Sequence, residues 1–393
     1  MVITLKNYNI LWFYISFLYI SAMIDRIITK NLQDDLDFTK ALVVIGPRQV
    51  GKTTLIRNLV AGKNTLFLNG DDAQTRTNLS NTNLPFLLNI ISDYAIIVID
   101  EAQRIENIGL TVKMLIDASL GKQFILTGSS SLDLGNKINE PLTGRKWEYN
   151  LYPLSFSEMA NHTSLRDETR MLENRLIYGY YPEVVNNMNH ATELLKQLTN
   201  SYLYKDILTW ERIQKPDKME RLLQALAFQV GNQVSYNELG VTCGLNSETV
   251  EHYINLLEKA FIIFRLGTFS RNLRNELKKT RKIYFYDNGL RNAVINQFSP
   301  LNIRNDIGAL WENFLISERL KNNSYKKNYV NKYFWRSKTQ QEIDYVEEKN
   351  GKVYAYEFKW NSNAKVKFPS SFVETYHPET QVISKDNFIE FIS

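Results

Sequence analysis

The stretch "ALVVIGPRQVGKTTLIRNLV", residues 41–60, sets three patterns end to end. The apolar run Ala41 to Ile45 reads as a strand buried on both faces. A glycine-bearing turn, Gly46 to Thr53, follows with the spacing G-x-x-x-x-G-K-[ST], and an amphipathic helical pattern closes the stretch. Such a turn wraps phosphate oxygens with backbone N–H groups, and the helix behind it adds the positive end of its dipole. Lys52 is spaced to reach β- and γ-phosphates, and the Thr53 hydroxyl to ligate Mg2+. The candidate nucleotide contacts are Gly46, Pro47, Arg48, Gln49, Val50, Gly51, Lys52, Thr53 and Thr54. Arg48 reads either as a phosphate contact or as the outer wall of the loop.

Working outward, "YAIIVIDEAQ" (Tyr94 to Gln103) is a second buried strand, ending in two acids. Asp100 is expected to hold Mg2+ through water, and Glu101 to orient and polarise the attacking water. A strand that merely ends in solvated charge would carry the same letters; the phosphate loop upstream favours the chemistry. "QFILTGSS" (Gln123 to Ser130) is a third strand, whose Thr127, Ser129 and Ser130 are suited to sensing a γ-phosphate. A guanine-reading Asn-Lys-x-Asp is absent, since "NKIN" at 136–139 lacks the acid, so ATP is expected over GTP.

The quoted motifs, with "LTGSSS" and "PLTGRKWEYNLYPLSFSEM" (residues 126–131 and 141–159), resemble AAA-type ATPases of bacteria and archaea that carry a C-terminal domain of unknown function. The resemblance implies an additional-strand P-loop core and assembly into a homo-oligomer. It also implies that Arg145, in "LTGR", is an arginine finger or γ-phosphate sensor; an ordinary surface arginine is the other reading. In that family the chain opens with a Met-Ile-x-Arg segment, which "MIDR" at Met23 matches. It extends through "YLYKDIL" at 202–208.

The chain of 393 residues calls for two or three domains. Hydrophobic and charged contents of 44% and 23% are those of an ordinary soluble protein, and a net charge of +5 permits a nucleic-acid partner without demanding one. A single cysteine, Cys243, excludes an internal disulfide and fits a reducing cytoplasm; with four histidines it argues against a zinc cluster. "ILWFYISFLYISAMI" (Ile10 to Ile24) has three readings. Residues 1–22 are translated upstream of a true start at Met23, or residues 8–24 anchor the chain in a membrane, or they form a buried helix. The run is short beside the about 20 apolar residues a span needs.

After a helical linker, 161–217, with the aromatic interruption "YGYYPEVV" (Tyr178 to Val185), residues 218–270 read as three helices and a strand, a winged helix-turn-helix. Ser235 and Ser247 are the expected N-caps. The second helix of the motif exposes Ser247, Glu248, Glu251, His252 and Asn255; its acids would repel phosphates, which favours docking over DNA reading. The basic run "RNLRNELKKTRK" carries Arg271, Arg274, Lys278, Lys279, Arg281 and Lys282. It either tracks a phosphate backbone or is a solvated face.

Near the C-terminus, "EIDYVEEKNGKVYAYEFKW" (Glu342 to Trp360) alternates around Asn350-Gly351, a strong hairpin signal. A two-residue turn there opposes Lys349 to Lys352, Asp344 to Glu357 and Glu342 to Lys359, leaving Ile343, Tyr345, Tyr356 and Phe358 on the other, apolar face. With Glu312 on the preceding helix, the order resembles a restriction-endonuclease-like fold. There Asp344 and Glu357 would hold Mg2+ and Lys359 would polarise water or stabilise the phosphorane. The alternative is a solvated face with a Glu342–Lys359 ion pair. Opposed acids at 344 and 357 call for a cation between them.

The resulting expectation is an α/β chain: a P-loop NTPase core of the AAA type (23–160), the linker, the winged helix (218–270) and a small nuclease-like domain (271–393). It is expected to be an ATP hydrolase using Mg2+ that couples nucleotide state to a conformational change and acts on nucleic acid, DNA being the candidate partner, through its nuclease-like C-terminal domain. Two alternatives stand, a non-cutting ATP-controlled assembly switch and a membrane-anchored ATPase.

Overall fold

The computed structural model describes residues 23–80, 83–118, 121–129, 133–200, 216–270 and 281–393. The apolar segment 1–22, with the anchor reading it carries, Ser130, the stretch 202–208, and Arg271, Arg274, Lys278 and Lys279 lie outside the described residues. Among the described residues no helix is long and apolar enough to cross a membrane.

Strands β1 (Ala41–Ile45), β2 (Thr65–Asn69), β3 (Ile96–Asp100), β4 (Gln123–Gly128) and β5 (Lys146–Asn150) form one sheet in the order β2-β3-β4-β1-β5. Every neighbour pair is parallel. β1, β3 and β4 are buried along their whole length, as continuous apolar runs in a covered parallel sheet must be. β4 sits between β1 and β3, which is the additional-strand order. Because the strands run the same way, the carboxyl ends of β1, β3 and β4 open on one edge, where a doubly wound sheet gathers its ligand.

A second sheet has seven strands: β6 (Gln233–Val234), β7 (Ile263–Thr268), β8 (Arg281–Phe285), β9 (Asn331–Arg336), β10 (Glu342–Lys349), β11 (Lys352–Phe358) and β12 (Glu379–Ile383). Their order is β12-β11-β10-β9-β7-β8-β6. Helices Pro216–Phe228, Tyr236–Cys243 and Ser247–Lys259 precede or interleave its first strands. Residue 270 is not a boundary. β7 pairs antiparallel with β8 through residues 263–266, then parallel with β9 through Gly267 and Thr268, so the two expected domains share a strand. Capping also differs at one helix: Asn246, not Ser247, accepts the Thr249 N–H at 2.7 Å, whereas Ser235 caps as expected.

The hairpin runs in the expected register, with Tyr345 opposite Tyr356 and Lys349 opposite Lys352. Asn350 and Gly351 take φ of 51° and 78°, the positive values a tight two-residue turn needs. Ile343, Tyr345, Tyr356 and Phe358 are buried.

The helix Ile307–Tyr325 joins the two halves of the molecule. Its N-terminal part carries Glu312 under the second sheet. Its C-terminal part docks on the first half: Glu318 accepts the Phe156 N–H at 2.7 Å, and Lys321 Nζ donates to the Leu154 carbonyl at 2.9 Å.

Candidate functional site

At the carboxyl edge of the first sheet the chain leaves β1 through the loop 46–51 and enters the helix Lys52–Leu59. Gly51 has φ of 91°, a conformation side-chain-bearing residues avoid. Gly46 lies so close to the Leu151 carbonyl that a Cβ there would collide with it. Lys52, buried at 5% exposure, donates to the carbonyls of Gly46 and Pro47 at 2.8 and 2.7 Å. Burial lowers its pKa to about 8, against the pull of Glu101 and Asp100. Arg48 is half-buried, Gln49 and Thr54 are exposed, and Val50 is buried.

Thr53 Oγ1 donates to Asp100 Oδ2 at 2.8 Å, so these two oxygens face one point between β1 and β3. That pairing of hydroxyl and carboxylate fits a Mg2+ ion held beside a phosphate chain. Thr127 donates to the other Asp100 oxygen and accepts the Glu101 N–H at 3.2 Å. Glu101 takes φ 49° and ψ 43°, a left-handed conformation. Gln103 Nε2 donates both to Glu101 Oε2 at 2.6 Å and to the buried Ser129 hydroxyl at 3.0 Å. Thr127 and Gln103 therefore hold the Asp100 and Glu101 carboxylates in place. Thr127, read from sequence as a sensor, is instead buried behind Asp100. Gln103 follows Glu101 by two residues, yet no local pattern ties it to Ser129.

Arg145 stands elsewhere. Its carbonyl accepts the Ala41 N–H, at the start of β1, and its guanidinium pairs with Asp117 at 2.6 Å. The five residues of β1 put it about 16 Å from the loop at the strand's far end. It cannot contact a γ-phosphate in its own chain's site.

Arg26 was not singled out for chemistry. Its guanidinium is buried and donates to the loop carbonyl Val50 O at 2.8 Å, to Tyr152 O at 2.6 Å, to Glu158 at 3.0 Å and to the Tyr325 hydroxyl at 3.4 Å. Glu158 also closes a capping box with Ser155, which gives "LSFSEM" a physical role.

In the C-terminal domain the acids do converge, but their cations differ from those expected. Glu342 does not pair with Lys359. It pairs with Lys282 at 2.5 Å and Arg336 at 3.1 Å. Lys282 is 1% exposed and also pairs with Glu312 at 3.1 Å, so neither reading of the basic run holds for it. Lys359 lies 2.9 Å from Glu357 and 3.6 Å from Asp344, and Asp344 accepts the Phe358 N–H at 2.8 Å. The Tyr284 hydroxyl donates to Glu312 at 2.5 Å. Burial raises the Glu312 pKa to about 7 against the pull of Lys282, and raises Glu357 to about 6 with the help of Asp344. Among the described residues no group of three or more His, Cys, Asp or Glu is arranged to hold a metal ion. The four acids are answered by protein cations, Lys282, Arg336 and Lys359. A signal that could have found Lys282 lies in "RKIYF", where it shares one strand face with Tyr284 and is flanked by the apolar Ile283 and Phe285.

Compared with known proteins, residues 38–160 match the AAA domain family. Residues 169–301 match a domain of unknown function (DUF8612), and residues 307–388 another (DUF4143). An uncharacterized protein of Mycobacterium tuberculosis is 24% identical over 340 residues, 86% of this chain and 74% of that one. An uncharacterized protein of Haemophilus influenzae is 27% identical over 291 residues, 67% of this chain and 70% of that one. Among solved structures, the Aeropyrum pernix ORC1 protein in complex with DNA aligns with a TM-score of 0.33 at 12% identity, over 68% of this chain and 91% of that one. The chain thus carries an AAA-type P-loop ATPase domain followed by a C-terminal DUF4143 domain. Its AAA match supports ATP binding and hydrolysis.

Proposed function

We propose that this chain is an ATP hydrolase whose nucleotide state drives a conformational change carried from the phosphate loop to the C-terminal domain. The Arg26 cluster carries the reading, because one buried guanidinium bonds both a loop carbonyl, Val50 O, and the last residue of the long helix, Tyr325. Glu312 lies on the same helix, 13 residues earlier, about 20 Å away along a rigid rod.

At the nucleotide site Lys52 exchanges the Gly46 and Pro47 carbonyls for phosphate oxygens. Thr53 and Asp100 are the residues to hold Mg2+, which neutralises charge on the phosphates when bound. Glu101, kept in place by Thr127 and Gln103, accepts a hydrogen bond from the attacking water, and Ser129 stands at the end of that relay. Arg145, remote from its own loop, serves a neighbouring copy's nucleotide, which makes the working unit an oligomer. The unit 216–285 is read as a winged helix. Glu248, Glu251 and His252 are exposed on its helix, which favours docking of a protein surface over reading of DNA bases. A cytoplasmic setting accords with the single buried Cys243.

The test is hydrogen exchange of the full chain with and without ATP–Mg2+, beside Lys52→Ala. Nucleotide should change exchange in 307–325 of the wild type and leave the variant unaltered. Hydrolysis without any change in that helix would overturn the coupling, and hydrolysis by Lys52→Ala would overturn the site.

A further inference from the structure

We propose that Lys282 is the cation of the C-terminal carboxylate cluster, standing where a nuclease-like fold would hold its divalent metal, so that this cluster joins parts of the protein and does not cut nucleic acid.

Four acids meet here, Glu312 from the long helix, Glu342 and Asp344 from β10, and Glu357 from β11. Lys282 reaches them from β8, on the far side of β7 and β9. Its ammonium touches Glu312 and Glu342 directly, and its charge is felt by Asp344 and Glu357. Both Glu342 oxygens are engaged, one by Lys282 and one by Arg336. Glu312 Oε1 takes Lys282 and Tyr284 together.

A metal would need carboxylate oxygens converging at about 2.0–2.1 Å for Mg2+, or slightly longer for larger ions. It would have to approach a buried ammonium of like sign, in surroundings where that repulsion is poorly screened. Lys282 has nowhere to withdraw. Its backbone is paired with Gln233 on one side and Leu266 on the other, and its ammonium lies 5.4 Å from the Phe334 ring centre. Lys359 differs, since its side chain is 35% exposed and can swing aside. The obstacle to metal is therefore Lys282, and the expected hydrolytic lysine at 359 is not. Buried charge pairs of this sort are costly to break from one side only, which suits a joint between elements distant in sequence.

The experiment is a Mn2+ titration of the nucleotide-free full chain, read by electron paramagnetic resonance. The phosphate loop is common to every protein compared and cancels. Wild type and Asp344→Asn should bind the same amount of Mn2+, with no metal-dependent DNA cleavage in either. Lys282→Met should gain one Mn2+ per chain, and the Lys282→Met/Glu342→Gln double variant should lose it again. A wild-type Mn2+ site or DNA cleavage that Asp344→Asn removes overturns the proposal. So does a Lys282→Met protein that folds, by circular dichroism, and gains no site. If Lys282→Met does not fold, the wild-type comparison decides alone. With no nucleotide present, the result is independent of the ATPase reading.

Discussion

Burial lowers Lys52 to a pKa of about 8, while Asp100 and Glu101 hold it up. Phosphate oxygens favour the ammonium, so nucleotide binding raises that pKa. Below pH 8 the lysine is already charged and binding takes up no proton; above it, each binding event takes up one. ATP affinity should therefore fall as pH rises past 8, by at most about tenfold per pH unit. Calorimetry at pH 7 and 9, in buffers of different ionisation enthalpy, reads both the affinity and the proton; equal affinity at both would refute the assignment. That Lys52, Thr53, Asp100 and Glu101 stand together at one end of the sheet was legible, because each sits within a short motif whose neighbours dictate its place. Thr127 and Gln103 were not legible as partners of Asp100 and Glu101. Their roles depend on β4 lying beside β3, a pairing between residues more than twenty apart. Glu101 itself keeps a left-handed backbone that costs roughly 1–2 kcal/mol, offset by the bonds to Thr127 and Gln103.

The long helix and the hairpin are the elements on which the reading turns. The hairpin's register followed from alternation and the Asn-Gly turn alone, since a period of two fixes every face once the turn is known. Its charge partners did not follow, because Lys282 arrives from β8 across two intervening strands. The helix was likewise legible as a helix but not as a bridge. Arg26→Lys isolates the bridge: an ammonium keeps the charge but cannot fork to Val50, Tyr152, Glu158 and Tyr325 together. The variant should still bind ATP, and its exchange in 307–325 should no longer respond to nucleotide. An undiminished response would show that the signal travels by another route.

Across the whole molecule, the position of Arg145 makes a claim about copies of the chain. It lies at the opposite end of β1 from its own phosphate loop, beside Asp117. Arg145→Ala has an intact loop, and Lys52→Ala an intact Arg145. Each alone should hydrolyse little ATP, and mixing the two should restore part of the turnover in mixed oligomers. Mixing without recovery would leave Arg145 an ordinary surface arginine.

β7 changes partners midway, from β8 to β9, without a break in the strand. A sheet built so resists twisting at that seam, since rotating one side against the other would shear a ladder of hydrogen bonds. The three-helix unit and the hairpin must therefore turn together, like two blades on one shaft. A partner that clamps the exposed face of the helix 247–259 would brake the acidic cluster as well.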